Sequence, residues 1–311
     1  MCGIVGFAGS GSSSDLACMS SALRHRGPDG EGSYIDPRFN VGLGHRRLAV
    51  LDREGGHQPM WNEHETVTVI FNGEIYNAPE LRAHLVARGH VFRSHHSDTE
   101  VLIHGYEEWG SALPARLNGM FAFAIYDVTA ARLFLARDRF GEKPLYYAIG
   151  PERFAFASEL TALTRHPDIG SDVDPRAVQK LFAYGYVPAP GSVIRGVRKL
   201  RPGWMLEYDC RSGSFGEKEY WRFRLDPDTA LEHAREDVLV EELRALLSAA
   251  VRRRLVSDVP LGLLLSGGVD SAAVLAFTSK HRPAEEISTF TVGFEERSYD
   301  ESEAARALAS W

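Results

Sequence analysis

Near residues 224–235 the hydrophobic pattern of the chain changes its period, and that change assigns two fold classes to one sequence. On the N-terminal side, short apolar runs alternate with glycine-rich turns. Residues 4–8, 41–51, 66–71, 120–127, 132–137, 145–149 and 154–157 read as strands. Residues 16–23, 79–88 and 98–109 read as helices, with Pro79 and Gly89 as start and stop signals and Gly110 as a stop. Residues 10–14 read as a short flexible turn. Many strands with few helices predict an α+β domain of stacked sheets with flanking helices. On the C-terminal side, residues 236–254 place Leu239, Leu243, Leu246, Leu247, Ala250 and Val251 on one helical face. A strand (259–265), a glycine-rich turn, a helix (271–280), a strand (287–294) and a helix (301–310) follow. The run 261–265 is apolar without alternation, which predicts a buried parallel sheet and an α/β class. The domain boundaries expected are 2–223, a linker at 224–235, and 236–311.

Composition narrows the function. At 44% hydrophobic and 25% charged, the 311 residues are ordinary for globular protein. A net charge of −7 gives no electrostatic reason to expect nucleic acid as a partner. No apolar run approaches the roughly 18 residues that span a membrane. The N-terminus has no basic segment followed by an apolar stretch, so a cytoplasmic enzyme is the default expectation. Three cysteines without a CxxC pair argue against a disulfide framework and against a zinc site.

One of those cysteines is special by position. Cys2 becomes the first residue if Met1 is removed, and its small neighbours favour removal. A free thiol has a pKa of about 8.5 and needs a base to become a nucleophile. A terminal α-amine, with a pKa of about 7.7–8.0, supplies one on the same residue. The alternative is a small buried hydrophobe at a strand start.

Downstream of Cys2-Gly3-Ile4-Val5-Gly6 come Arg26-Gly27-Pro28-Asp29-Gly30, Gly44-His45-Arg46-Arg47-Leu48, Asn72-Gly73-Glu74-Ile75-Tyr76-Asn77 and Ser97-Asp98-Thr99-Glu100. This set resembles the class II, N-terminal-nucleophile glutamine amidotransferases, and within them the asparagine synthetase family. The resemblance implies that Cys2 attacks the glutamine side-chain amide. Asn72 and the Gly73 N–H would then form an oxyanion hole. Arg47 would hold the α-carboxylate, Asp98 and Glu74 would recognise the α-ammonium and amide ends, and the main chain of Val50 and Leu51 would line the pocket. Taken singly, Asn72-Gly73 is also a hairpin-turn signal, Asp98 a helix N-cap and Arg47 a surface cation.

Leu264-Leu265-Ser266-Gly267-Gly268-Val269-Asp270-Ser271 stands between a strand and a helix. Glycines permit close backbone approach and a helix N-terminus favours phosphate. No Walker A string occurs. The string resembles the pyrophosphate loop of the ATP pyrophosphatases. That resemblance implies ATP binding by Ser266, Gly267, Gly268, Asp270 and Ser271, magnesium on Asp270, and adenine contacts at Leu264 and Val292. As bare residues, these last two read as buried strand positions.

Together the two resemblances imply a glutamine-dependent ligase of the asparagine synthetase family. Its substrates would be glutamine, aspartate and ATP, and ammonia would meet a β-aspartyl-adenylate. A homodimer is compatible with the resemblance. A second loop of the type SGxGxDE does not occur in the sequence, so the α/β domain is expected to be incomplete. Two alternatives stay open: a relative acting on another acid in secondary metabolism, and a truncated chain with glutaminase activity only or in need of a partner chain.

Overall fold

Strand residues in the first two-thirds of the chain sort by parity, and the parity decides which of three cores each enters. The computed structural model describes residues 1–151 and 153–310 and divides them into two units, Met1–Arg224 and Leu225–Trp311. In the first unit the strands are β1 (Gly3–Ala8), β2 (Gly30–Asp36), β3 (Val41–Arg47), β4 (Met60–Trp61), β5 (Val67–Ile75), β6 (Gly119–Asp127) and β7 (Arg132–Arg137). They continue with β8 (Tyr146–Gly150), β9 (Arg153–Ala157), β10 (Val197–Lys199), β11 (Trp204–Asp209) and β12 (Phe215–Glu219). Two antiparallel sheets result, in the orders β10-β8-β9-β1-β3-β2 and β12-β11-β7-β6-β5-β4.

Successive residues of a strand point to opposite faces. Ile4, Ile70, Ala122, Ala124, Leu133, Leu135, Phe154 and Phe156 fill the layer between the sheets. Their neighbours in sequence point outward. Val69, Phe71, Phe121, Phe123 and Phe134 pack under helices α2 (Ala78–Ala87), α3 (Glu100–Trp109) and α4 (Leu113–Arg116). Val5, Phe7, Ala155 and Ala157 pack under α1 (Ser13–Ser21) and α5 (Leu160–Leu163). The first unit is therefore the expected α+β stack, helices outside two sheets. Because both faces are buried, central strands read as continuous apolar runs.

Several local expectations need correction. Residues 10–14 are not a flexible turn: Ser12 caps α1, and Asp15 returns the bond as a capping box. Strand β3 ends at Arg47 rather than 51, where the chain leaves the sheet. Five strands are missing from the sequence reading: β2, an edge strand of alternating exposure, the short β4 and β10, and the pair β11–β12. Helix α6 (Pro175–Tyr184) is also missing, although Asp174 caps it, Pro175 opens it and Gly185 closes it at φ +75°.

The second unit holds α7 (Glu236–Arg253), β13 (Gly262–Leu264), α8 (Val269–Thr278), β14 (Ser288–Phe290) and α9 (Ser302–Ala309). Strands β13 and β14 pair in parallel. The sheet is not buried, contrary to the sequence expectation: Leu264 is 81% exposed and Phe290 60%. The leucine face of α7 is exposed as well, with Leu243 at 56% and Leu246 at 62%. A two-strand sheet has too few elements packed on it to cover both faces.

Candidate functional site

Cys2 lies just before β1, and the arginine of the Arg26-Gly27-Pro28-Asp29-Gly30 string holds it there. Arg26 Nε donates to the Cys2 carbonyl at 2.9 Å, and its Nη1 pairs with Glu159 Oε1 at 2.8 Å. Gly27 lies against the Arg46–Arg47 backbone, where a Cβ would come within 2.4 Å of a carbonyl carbon. That close approach requires glycine. Asp29 Oδ2 accepts the Ala49 N–H at 2.9 Å and so fixes the segment after β3. In that segment Leu48 N–H donates to Cys2 Sγ at 3.4 Å.

A cavity of about 150 Å³ opens at the thiol. Cys2, Arg47, Val50, Leu51, Asn72, Gly73, Glu74 and Asp98 all line it. The structure thus brings together every residue that the glutaminase resemblance singled out. Residues that sequence reasoning missed also line it, among them Met1, Gln58 and Lys143. No local pattern marks Gln58 or Lys143, because each reaches the cavity from a loop.

The open edge of β5 explains the geometry. Tyr76 N–H donates to Asn118 O and Val128 N–H to Thr66 O. Even-numbered residues of β5 therefore bond β6, and odd-numbered ones face the other way. On that side β4 pairs only with Thr68 and Val69. Beyond it, side chains replace the missing strand. Phe71 N–H donates to Gln58 Oε1 at 2.6 Å, and Ile75 N–H donates to Asp98 Oδ2 at 2.9 Å. Between them the Gly73 N–H has no protein partner among the described residues and faces the cavity. Asn72 Nδ2 is buried beside it, also without a partner. A Cβ on Gly73 would sit 2.1 Å from the Met120 carbonyl oxygen. The Asn72-Gly73 pair is therefore not a hairpin turn; it lies within a strand.

The charged groups are set by burial. Arg47 is 7% exposed and donates to the carbonyls of Arg53 (2.8 Å), Leu51 (3.1 Å) and Asp52 (2.6 Å). Of its five N–H donors two are left for a ligand. Asp98 does not cap α3, whose N-cap is Thr99. Burial pushes its carboxyl up to about 6, against the pull of the N–H groups that bind it. Burial likewise pushes the Cys2 thiol up, although the Leu48 backbone, the terminal amine and Arg47 draw it down. Burial lowers the α-amine of Met1. Of the remaining cysteines, Cys18 is exposed and Cys210 half-buried.

In the second unit, Ser266, Gly267, Gly268, Asp270 and Ser271 gather at the turn from β13 into α8. Ser266 and Ser271 hydroxyls lie 2.9 Å apart, and Gly267 N–H donates to Glu301 Oε2 at 3.2 Å. No side chain caps α8. Its first N–H groups, two hydroxyls and the exposed Asp270 carboxylate form a donor set that fits a phosphate group with a divalent cation. Leu264 and Val292, which as bare residues read as buried, are 81% and 67% exposed.

The fold and the Cys2 cavity fit the class of glutamine amidotransferases. The family profile for the glutamine amidotransferase domain matches residues 1–221, and that for asparagine synthase matches residues 242–311. The chain belongs to the glutamine amidotransferase family, in the asparagine synthetase branch. It is 40% identical to glutamine-hydrolyzing asparagine synthetase 3 of Bacillus subtilis over 284 residues, covering 89% of this chain and 45% of that protein. It is 38% identical to asparagine synthetase 1 of the same organism, covering 94% and 44%. A putative asparagine synthetase of Methanocaldococcus jannaschii is 35% identical, covering 97% and 61%. The chain thus spans about half the length of the first two relatives. Among solved structures, glutamine phosphoribosylpyrophosphate amidotransferase from B. subtilis shares the fold, with a TM-score of 0.51 at 18% identity over 98% of this chain and 70% of that one. No helix among the described residues is long and apolar enough to cross a membrane.

Proposed function

We propose that the first unit hydrolyses glutamine to glutamate and ammonia at Cys2. The observation that carries this reading is the pair of unpartnered donors, Asn72 Nδ2 and the Gly73 N–H, in the cavity that holds the thiol. Removal of Met1 exposes the Cys2 amine, which takes the thiol proton as sulfur attacks the amide carbon. The two donors bind the oxygen on which negative charge develops. The amine then returns the proton to the departing ammonia, and water hydrolyses the thioester. Arg47 binds the α-carboxylate, Asp98 and Glu74 bind the α-ammonium and amide ends, and the backbone of Val50 and Leu51 fixes the substrate stem.

In the second unit, Ser266, Gly267, Gly268 and Ser271 hold the ATP phosphates, and Leu264 and Val292 flank the adenine. Asp270 would hold a magnesium ion, which would supply positive charge beside the phosphates. The whole protein is then an asparagine synthetase of the cytoplasm, converting aspartate to asparagine with AMP and pyrophosphate released. The relatives' names support aspartate as the acid. A different acid substrate is the second reading.

Cys2→Ala tests the first unit: glutamate release from glutamine is expected to vanish, and retained release would overturn the reading. For the second, Asp270→Ala is expected to weaken ATP binding measured with magnesium present. Unchanged ATP affinity would remove Asp270 from the site.

A further inference from the structure

The α2–α3 pair carries two imidazoles and a carboxylate that no step above uses. His90 lies in the turn after α2, while His104 and Glu107 stand three residues apart on one face of α3. Glu107 Oε2 is 2.9 Å from His104 Nδ1 and 3.5 Å from His90 Nδ1. The three ligand atoms all lie within 4.8 Å of one another. A tetrahedral zinc ion with bonds of about 2.0–2.1 Å holds its ligand atoms roughly 3.4 Å apart. Small side-chain rotations therefore close the trio on one ion. Two imidazole nitrogens and one carboxylate oxygen are a donor set that zinc accepts.

The surrounding groups give a second, independent observation. The His104 side chain is 1% exposed, and its Nε2 is buried without a hydrogen bond, 3.7 Å from Glu100 Oε1. His90 Nε2 lies 3.6 Å from Glu108 Oε2. Each imidazole thus has a carboxylate within 4 Å of its far nitrogen, and a small rotation would close the outer hydrogen bond that orients a metal-bound histidine. Those carboxylates are themselves anchored. Glu100 accepts the backbone N–H groups of Arg93 (2.6 Å) and Ser94 (2.8 Å), and Glu108 pairs with Arg88. Asn62 Nδ2 donates to Glu107 Oε1 at 2.7 Å, which turns Oε2 toward the imidazoles.

We propose that His90 Nδ1, His104 Nδ1 and Glu107 Oε2 form a zinc-binding site, with water as the fourth ligand. The ion ties the turn after α2 to α3. Residues 97–99, which line the Cys2 cavity, lead directly into α3, so the tie steadies the segment that carries Asp98. The site uses no thiol, and the missing CxxC pair does not bear on it.

Equilibrium dialysis of the chelator-stripped full chain against zinc chloride tests this, beside His90→Gln and Glu107→Gln. The wild-type chain is expected to bind one equivalent more tightly than either variant, by roughly tenfold or more. Cobalt(II) in place of zinc is expected to give a tetrahedral d–d absorption that both variants lack. Binding at the three cysteines is common to all three proteins and cancels. His90 is only partly buried, so His90→Gln decides the outcome if Glu107→Gln does not fold. Equal zinc affinity and stoichiometry in wild type and His90→Gln, or an unchanged cobalt spectrum, would overturn the proposal.

Discussion

The Ile75 N–H donates to Asp98 Oδ2 at 2.9 Å, so one buried carboxylate both ends the open edge of β5 and faces the Cys2 cavity. The same group supports a strand and presents charge to a ligand, and the two duties respond differently to pH.

Asp98 gives the first prediction. Burial pushes its carboxyl up to about 6 from an ordinary value of 3.8. The folded state therefore holds this proton longer than the unfolded chain. Asp98's contribution to stability falls as pH rises from about 4 to 6 and is level above that window. Asp98→Asn is expected to raise thermal stability at pH 7, by roughly 1–3 kcal/mol, because it removes a buried charge. The same change is expected to raise the KM for glutamine. In the wild type, KM is expected to rise as pH falls below about 6, where the carboxylate loses the charge that binds an ammonium. Glutaminase kinetics from pH 5 to 8 and melting curves check both arms. A flat KM profile would remove Asp98 from substrate binding.

Asn72→Ala separates catalysis from stability. Its Nδ2 is a buried donor without a partner, so the fold loses little when it goes. An oxyanion donor is worth about 10²–10³ in kcat. A large fall in kcat with a melting temperature shifted by only a few degrees is expected. A variant with near-normal kcat would place the oxyanion elsewhere.

Gly73→Ala is expected to fail in both respects. The added Cβ meets the Met120 carbonyl oxygen at 2.1 Å and must push β5 from β6. Activity and melting temperature should fall together, in contrast to Asn72→Ala. Comparison of the two variants by kinetics and calorimetry makes the distinction.

Tyr126 and Asp36 tie the two sheets together. The Tyr126 hydroxyl on β6 donates to Asp36 Oδ2 on β2 at 2.7 Å. Arg38 bonds to Asp36, followed by the Tyr126 hydroxyl, hold the Asp36 carboxyl down at about 2 against its burial. The folded value lies below the unfolded one, so this contribution is full above about 4 and is lost as pH falls through about 2. Tyr126→Phe is expected to cost about 1–2 kcal/mol at pH 7 in denaturant unfolding. The difference from wild type should shrink below pH 4.

Much of the site is legible in the sequence because its residues cluster in short strings. Arg47, Asn72, Gly73 and Asp98 each stand in a run whose order along the chain carries the family resemblance. Gln58 and Lys143 stand in no such run. Their places depend on which backbone groups β4 leaves unpaired and on how the loop at residues 138–145 returns to the cavity. Helix α6 went unread although Asp174, Pro175 and Gly185 mark its ends, and edge strand β2 went unread because its short alternating pattern holds few large apolar residues.

The sequence by itself determined the parity of the central strands, the existence of most helices, and the strings that meet at Cys2. These are local properties, written in spacing and side-chain type. Only the tertiary structure decided that Asn72-Gly73 lies in a strand instead of a turn, that Asp98 bonds β5 instead of capping α3, and that the parallel pair β13–β14 is exposed. Each of those outcomes depends on a pairing partner or a covering element far away in the chain. A hydrogen bond left open by a short neighbouring strand has no local signature in the sequence.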